Sequence, residues 1–381
     1  MRLPDAAREA RTGRIARVRE RMGELGVDAL LLSHGADLPW LTGYRAMPLE
    51  RLTLLVLPLA GEPVLVVPGL EAPRVATAPD LFTLRPWSDT EDPIALVASV
   101  LGRRGPRPRL AVSDRAWAGS LLALQAAVPG ADWSPASTVT SPIRAVKDAT
   151  ELAALRAAGA AADRVAAELQ AGAVGLVGRR ESDVSAELGA RLVAEGHAQV
   201  NFAIVGSGPN AASPHHEPGD RVIGPGETVV CDFGGTLSLD GEVGYCSDIT
   251  RTVVTGDPSV EVLECYEVLR AAQEAAVRSA AAGVPAEAVD RVAREVIEAS
   301  GLGHRFVHRT GHGIGIEEHE DPYLVAGNAT RLQPGHAFSV EPGIYLPGRF
   351  GMRLEDIVVI GEDGVPESLN RADHALTVLG N

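Results

Sequence analysis

Four acidic residues stand in two pairs in the second half of the chain. Asp232 and Asp248 are centred on residue 240, and Asp240-Gly241 is a strong hairpin turn signal. Glu341 and Glu355 are centred on residue 348, inside Pro347-Gly348-Arg349. In an antiparallel hairpin, positions equidistant from the turn face one another with side chains on one side. Each hairpin is therefore expected to hold two carboxylates side by side, to within one residue of slippage at a bulge. Like charges so placed destabilise a sheet unless something neutralises them, and a divalent cation is the simplest answer. Four carboxylates and an imidazole can hold two such ions. A single acid pair is more readily explained as the solvated flanks of a hairpin. Here, however, Asp232 interrupts Val229-Val230-Cys231…Phe233 and Glu341 follows Phe338-Ser339-Val340, both core-like strands in which an ionised carboxylate needs a partner.

The histidines supply the nitrogen. Gly311-His312-Gly313-Ile314-Gly315 is dense in glycine, as expected where backbone approaches a ligand closely. His319 follows within Glu318-His319-Glu320, and Pro214-His215-His216 ends a Gly-Ser-Gly-Pro-Asn loop. Any one of these taken alone is more often a structural histidine than a ligand. The Gly206-Ser207-Gly208-Pro209 stretch is a poor match to a phosphate-binding loop, and no Gly-x-Ser-x-Gly nucleophile elbow is present. Cys231, Cys246 and Cys265 form no Cys-x-x-Cys pattern and have no catalytic context, which suits a reducing cytosol.

The elements that must position these groups fall into two sets. All four tryptophans (Trp40, Trp87, Trp117, Trp133) precede residue 140, whereas nine of the ten histidines follow residue 196. In the first half, Ile15, Val18, Met22 and Leu25 recur at helical spacing, and short apolar runs at Asp28–Ser33, Leu54–Pro58, Pro63–Pro68 and Leu110–Ser113 read as strands. Their alternation with helical stretches such as Pro93–Leu101 indicates an α/β domain. The texture changes near Ser141-Pro142, where an Ala-rich helix from Glu151 to Leu169 begins, with Asp148 or Thr150 as its cap. The expected division is 1–145 and 146–381. The second part mixes helices (Ser182–Glu195, Val260–Ala282, Ala286–Ser300) with strands (Thr228–Phe233, Ile249–Thr255, Ala337–Ile344, Leu354–Ile360).

The 381 residues are 45% hydrophobic and 22% charged, which excludes a disordered or disulfide-stapled chain. A net charge of −15 argues against a nucleic-acid surface. The longest apolar region, Leu54–Leu70, is broken by Glu62 and prolines, so no membrane span is expected, and the charged N-terminal stretch does not read as a signal peptide. The expectation is a cytoplasmic protein.

The ordered motifs resemble a known family. They are Ile204-Val-Gly-Ser-Gly-Pro-Asn…Pro214-His215-His216, Asp232-Phe-Gly-Gly, Ser247-Asp248-Ile-Thr-Arg251-Thr, Gly311-His312-Gly-Ile-Gly…His319-Glu, Val340-Glu341-Pro-Gly-Ile-Tyr345 and Arg353-Leu-Glu355-Asp. Over residues 145–381 the chain resembles the M24 metallopeptidases, in their aminopeptidase P and prolidase branch. Trp40-Leu41-Thr42-Gly43-Tyr44 is similar to the creatinase-like N-terminal domain of that branch. The resemblance implies an α/β creatinase-like domain ahead of an α+β pita-bread catalytic domain. It also implies two divalent ions, with Asp232 holding one, His312 and Glu341 the other, and Asp248 and Glu355 bridging both. Mn²⁺ is the expected ion, with Co²⁺ or Zn²⁺ as alternatives. One spacing departs: Asp232 to Asp248 spans sixteen residues where relatives have eleven, the extra residues falling at the Asp240-Gly241 turn.

On this reading the ions acidify a water and polarise the peptide carbonyl. Glu341 shuttles the proton, His215 and His319 hydrogen-bond the carbonyl oxygen, and Arg353 orients the carboxylates. The implied substrates are small peptides with proline in second position, cleaved by a homodimer. A methionine aminopeptidase would lack the front domain. A metal-free creatinase or a non-catalytic binding protein would have lost ligands, and none is lost. Relatives grip the far side of the substrate with an Arg four residues after the position of His319, where this chain has Tyr323. Tyr323 and Tyr345 are taken as substrate-binding. Arg45 is expected to hold the proline carboxylate, which favours a dipeptidase over an aminopeptidase P.

Overall fold

The computed structural model describes residues 5–102, 105–239 and 242–380, so the turn expected at Asp240-Gly241 lies outside the described residues. The chain divides into two compact units, Met1–Arg144 with Gly241–Val243, and Ala145–Asp240 with Gly244–Asn381.

The first unit opens with α1 (Asp5–Leu25), in which Ile15, Val18 and Met22 are buried on one face. Its sheet is built from β1 (Ala29–Leu32), β2 (Leu54–Pro58), β3 (Val64–Pro68), β4 (Thr83–Trp87), β5 (Arg109–Val112) and β6 (Asp132–Pro135), in the order β4-β3-β2-β1-β5-β6. The β1–β2 and β2–β3 pairs are antiparallel and the other three parallel. Every residue of β1 and β2 is buried, which is why these stretches read as unbroken apolar runs. The helices α2 (Asp37–Thr42), α3 (Pro93–Leu101), α4 (Ala118–Ala127) and α5 (Ser137–Ala145) complete the unit. Asp92 caps α3 by accepting hydrogen bonds from the amides of Ile94 and Ala95.

The second unit starts with α6 (Ala149–Gln170), fixed at its first turn by a capping box between Asp148 and Glu151. Next come α7 (Glu181–Ala194), β7 (His197–Ser207), β8 (Thr228–Leu237), β9 (Tyr245–Cys246) and β10 (Ile249–Thr255). The helices α8 (Val260–Ser279) and α9 (Ala286–Ala299) precede β11 (Gly311–Gly313), β12 (Glu320–Leu324) and β13 (Ala337–Val340). The chain continues through β14 (Gly343–Leu346), β15 (Phe350–Arg353), β16 (Asp356–Ile360), β17 (Pro366–Ser368) and β18 (Thr377–Leu379). One sheet runs β18-β10-β8-β7 with β9 on β8, a second runs β12-β11-β13-β16-β17, and β14–β15 is a separate ribbon. Apolar residues of α6 and α7 pack with Val229, Cys231 and Phe233 of the first sheet. Those of α8 and α9 pack with Phe338 and Val358 of the second.

Two expectations need correction. The strand expected across Ala337–Ile344 breaks at Glu341-Pro342 into β13 and β14. Pro342 has no N–H for a ladder, and the Glu341 amide turns away to donate to the Thr310 carbonyl at 2.8 Å. The register is nevertheless continuous across the break: Val340 opposes Asp356 and Gly343 opposes Arg353, both centred on residue 348. In the other pair, Asp232 opposes Thr250 rather than Asp248. That displacement of two residues exceeds the one-residue allowance for a bulge. Because side chains alternate with period two, it keeps both carboxylates on one face as diagonal neighbours.

Candidate active site

Asp232 sits within β8, Asp248 just ahead of β10, His312 in β11, and Glu341 and Glu355 at the breaks where the β14–β15 ribbon departs from the β13–β16 ladder. Thr250 ties the two acid pairs together. It faces Asp232 across the β8–β10 ladder and forms an isolated bridge with Glu355. Its buried hydroxyl donates to Glu355 Oε2 at 2.6 Å and accepts from Arg353 Nε at 3.1 Å. All five expected ligands line one cavity of about 570 Å³, together with His215, His319 and Arg353.

The imidazole orientation is defined by its neighbours. His312 Nδ1 lies 3.1 Å from the Gly313 carbonyl, which can only accept, so Nδ1 carries the proton. Nε2 is then the lone-pair nitrogen. It lies 3.3 Å from Glu341 Oε1 and 3.8 Å from Asp248 Oδ2. Burial, then His319, lowers the His312 pKa to about 3, so the ring is neutral, the form that binds metal. The glycines around it have a different reason from the one expected. A Cβ at Gly311 would strike the Ser339 carbonyl and one at Gly313 the Asp321 carbonyl. Glycine is needed there for the backbones of β12 and β13 to close on β11.

Burial and then Glu355 and Asp232 push Asp248 well above the ordinary carboxylate range, and burial with Glu341 and Asp232 does the same to Glu355. Burial also raises Glu341 to about 7, against the opposing charge of Arg353. Three carboxylate oxygens, Asp232 Oδ1, Asp248 Oδ1 and Glu355 Oε1, are buried with no hydrogen-bond partner. Orphaned acceptors in such a cluster are expensive unless a cation meets them. With four carboxylates ionised and Arg353 charged, the cluster carries three net negative charges, which two divalent ions would more than offset. The donor set, hard oxygens with one neutral imidazole, fits such ions. Asp248, His312 and Glu355 offer ligand atoms that all lie within 4.8 Å of one another.

Arg353 anchors the other side. Its guanidinium is buried and donates to Asp232 Oδ2 at 2.6 Å, Tyr345 Oη at 3.0 Å and the Pro214 carbonyl at 3.1 Å. Tyr345, expected from the sequence to bind substrate, instead has its hydroxyl engaged within the protein by Arg353 and His308. It donates to His308 Nε2 at 2.9 Å, because His308 Nδ1 is the donor to the Arg309 carbonyl at 2.8 Å. Burial keeps His308 neutral, with its pKa lowered to about 4. Tyr323 is covered on one face by the Arg309 guanidinium, 4.4 Å from its ring centroid. Arg45 is an exposed residue of the first unit, just beyond α2. His216 is held by Glu181 at 2.7 Å, while the His319 ring lies 4.0 Å from that of His312, centre to centre, tilted by 49°. Sequence reasoning missed Thr250, His308 and Arg309. The first two lie within the quoted motifs or four residues before His312, but nothing in their spacing marks the partner each would meet.

The family model described as metallopeptidase family M24 matches residues 153–362, and the Creatinase/Prolidase N-terminal domain matches residues 14–146. The chain belongs to metallopeptidase family M24. An M24 chain is a hydrolase that works with divalent metal ions, and this one carries the creatinase-like domain ahead of the pita-bread catalytic domain. It is 46% identical over 369 residues to a probable dipeptidase PepE of Mycobacterium tuberculosis, covering 96% of each chain. It is 37% identical over 350 residues to an Xaa-Pro dipeptidase of Lactobacillus delbrueckii, covering 90% of this chain and 92% of the other. The crystal structure of dipeptidase PepE from Mycobacterium ulcerans superposes with a TM-score of 0.91 at 44% identity, each chain covered in full.

Proposed function

We propose that this M24 hydrolase is an Xaa-Pro dipeptidase with a dinuclear centre, Mn²⁺ being the preferred ion. The observation that carries the reading is the meeting of four carboxylates with the Nε2 of His312 around three orphaned oxygens. The similarity to an Xaa-Pro dipeptidase over nearly the whole chain supports the substrate. Asp232, Asp248, His312, Glu341 and Glu355 would hold the two ions. When bound, they supply Lewis acidity that activates water and polarises the scissile carbonyl.

The chain's own residues do the rest. The Glu341 side chain, 15% exposed, borders the cavity and takes a proton from the attacking water, then delivers it to the departing proline nitrogen. Proline's nitrogen is a secondary amine once released, so that delivery is required for the bond to break cleanly. His215 and His319 line the same cavity and donate to the carbonyl oxygen as its charge grows. Phe202 and Ile204 give the cavity an apolar wall for the residue before proline. Arg353 holds Asp232 and, through Thr250, Glu355 in fixed orientations.

The domain boundary is proposed at 145/146, one residue after the end of the first compact unit. A cytoplasmic location is proposed from the cysteine pattern of the sequence; no helix among the described residues is long and apolar enough to cross a membrane. A homodimer is proposed from the family resemblance. The test is hydrolysis of Ala-Pro against Ala-Pro-Ala by metal-depleted enzyme reloaded with Mn²⁺, Co²⁺ or Zn²⁺. Faster turnover of the dipeptide is expected, greatest with Mn²⁺. Preference for the tripeptide would make it an aminopeptidase P instead.

A further inference from the structure

A dipeptide ends one residue beyond the bond that is cut, roughly 3.3–3.6 Å of extended chain. Whatever holds its terminal carboxylate must therefore stand in the same cavity as the expected metal ligands. Two guanidinium groups line that cavity, Arg309 and Arg353. Arg353 is spent: four of its five N–H donors go to Thr250, Pro214, Tyr345 and Asp232. Arg309 is not. It is half-buried, and among the described residues no carboxylate lies within ion-pair distance of its guanidinium and no acceptor takes its donors. A half-buried cation with open donors, in a cavity otherwise crowded with acids, is in want of an anion.

The surroundings hold Arg309 ready for one. Its backbone is pinned on both sides, by the His308 ring on its carbonyl and by the following Thr310, whose amide and hydroxyl both donate to Asp290. Its guanidinium lies over the face of Tyr323, which leaves the in-plane N–H fork free for a planar anion.

We infer that Arg309, laid on Tyr323, binds the C-terminal carboxylate of the substrate and so sets the preference for dipeptides. This rests on the dipeptidase reading of the same site. It also gives Tyr323 a purpose: the residue that stands where relatives keep an arginine serves here as the platform for one. The grip then belongs to the catalytic unit itself and does not call on Arg45.

The test compares metal-loaded wild type, Arg309→Ala, Arg309→Gln and Arg45→Ala on Ala-Pro and on its C-terminal amide, which lacks the anion. Wild type is expected to favour the acid over the amide. Both Arg309 variants should lose roughly 10- to 100-fold in kcat/KM on the acid, mostly through KM, with the amide changed less than about threefold. Tyr323→Ala should show part of that loss and Tyr323→Phe little of it. Thermal unfolding of each variant, together with amide cleavage, separates misfolding from lost recognition. Equal losses on acid and amide, or loss of discrimination in Arg45→Ala instead, would overturn the inference. If wild type cleaves Ala-Leu but not Ala-Pro, the proline reading fails, and the same acid-amide comparison on Ala-Leu still decides the role of Arg309. If no peptide turns over, calorimetric binding of Ala-Pro and its amide gives the same ratio.

Discussion

Thr250→Val exchanges one hydroxyl for a methyl group in the middle of the acid cluster. Thr250 is fully buried, and the methyl that replaces its hydroxyl is slightly larger, so the change opens neither a route to solvent nor a void. It deletes the 2.6 Å hydrogen bond that orients Glu355 Oε2 and strips Arg353 Nε of its acceptor at 3.1 Å. A buried donor left unpaired costs roughly 1–3 kcal/mol, and more when charged, so the metal-free protein should lose about that much stability. Removing the partner that orients a ligand typically weakens metal affinity 10- to 100-fold, or about 1.4–2.7 kcal/mol. Isothermal titration of the metal-depleted protein with Mn²⁺ measures the affinity, and calorimetric unfolding without metal measures the stability. The expected outcome is weaker binding with turnover restored at saturating Mn²⁺. Affinity within twofold of wild type, alongside lost stability, would refute the reasoning, because Thr250 would then be packing rather than orienting Glu355.

Further outcomes can be checked independently. Glu341→Gln keeps one ligand oxygen but cannot shuttle a proton, so kcat for Ala-Pro should fall roughly 10²- to 10⁴-fold with KM little changed. Asp248→Ala and Glu355→Ala should each lose at least one bound ion by elemental analysis and abolish turnover. Acid should destabilise the fold through His336, which is buried and accepts a hydrogen bond from the Gln333 amide. Burial and then Lys147 depress its pKa from 6.5 to about 4, so the unfolded chain binds the proton first. Stability should be lost as pH falls from about 6.5 to 4, by an amount on the order of 3 kcal/mol, and His336→Gln should flatten that limb of a denaturant-unfolding series.

Much of this site can be read from local pattern. The Glu341–Glu355 pair was found by its midpoint because the ribbon register runs unbroken through the Pro342 interruption. Strands such as β1 and β2 were legible because burial on both faces writes itself as an apolar run. The Asp232–Asp248 register was misjudged because a midpoint assumes a symmetric hairpin, while β9 pairs onto β8 within the excursion between them. The chain Asp232–Arg353–Tyr345–His308 spans segments more than a hundred residues apart, and no periodicity carries that information. Arg309 was invisible for a related reason. Its meaning lies in the anionic partner it lacks among the described residues, and only the packed cavity shows that.

The most direct test of the dinuclear centre is a titration of metal-depleted enzyme with Mn²⁺ while Ala-Pro hydrolysis is followed. Turnover should be absent without metal and should saturate at two equivalents per chain. Full activity in the metal-free protein, or saturation at one equivalent, would contradict the account.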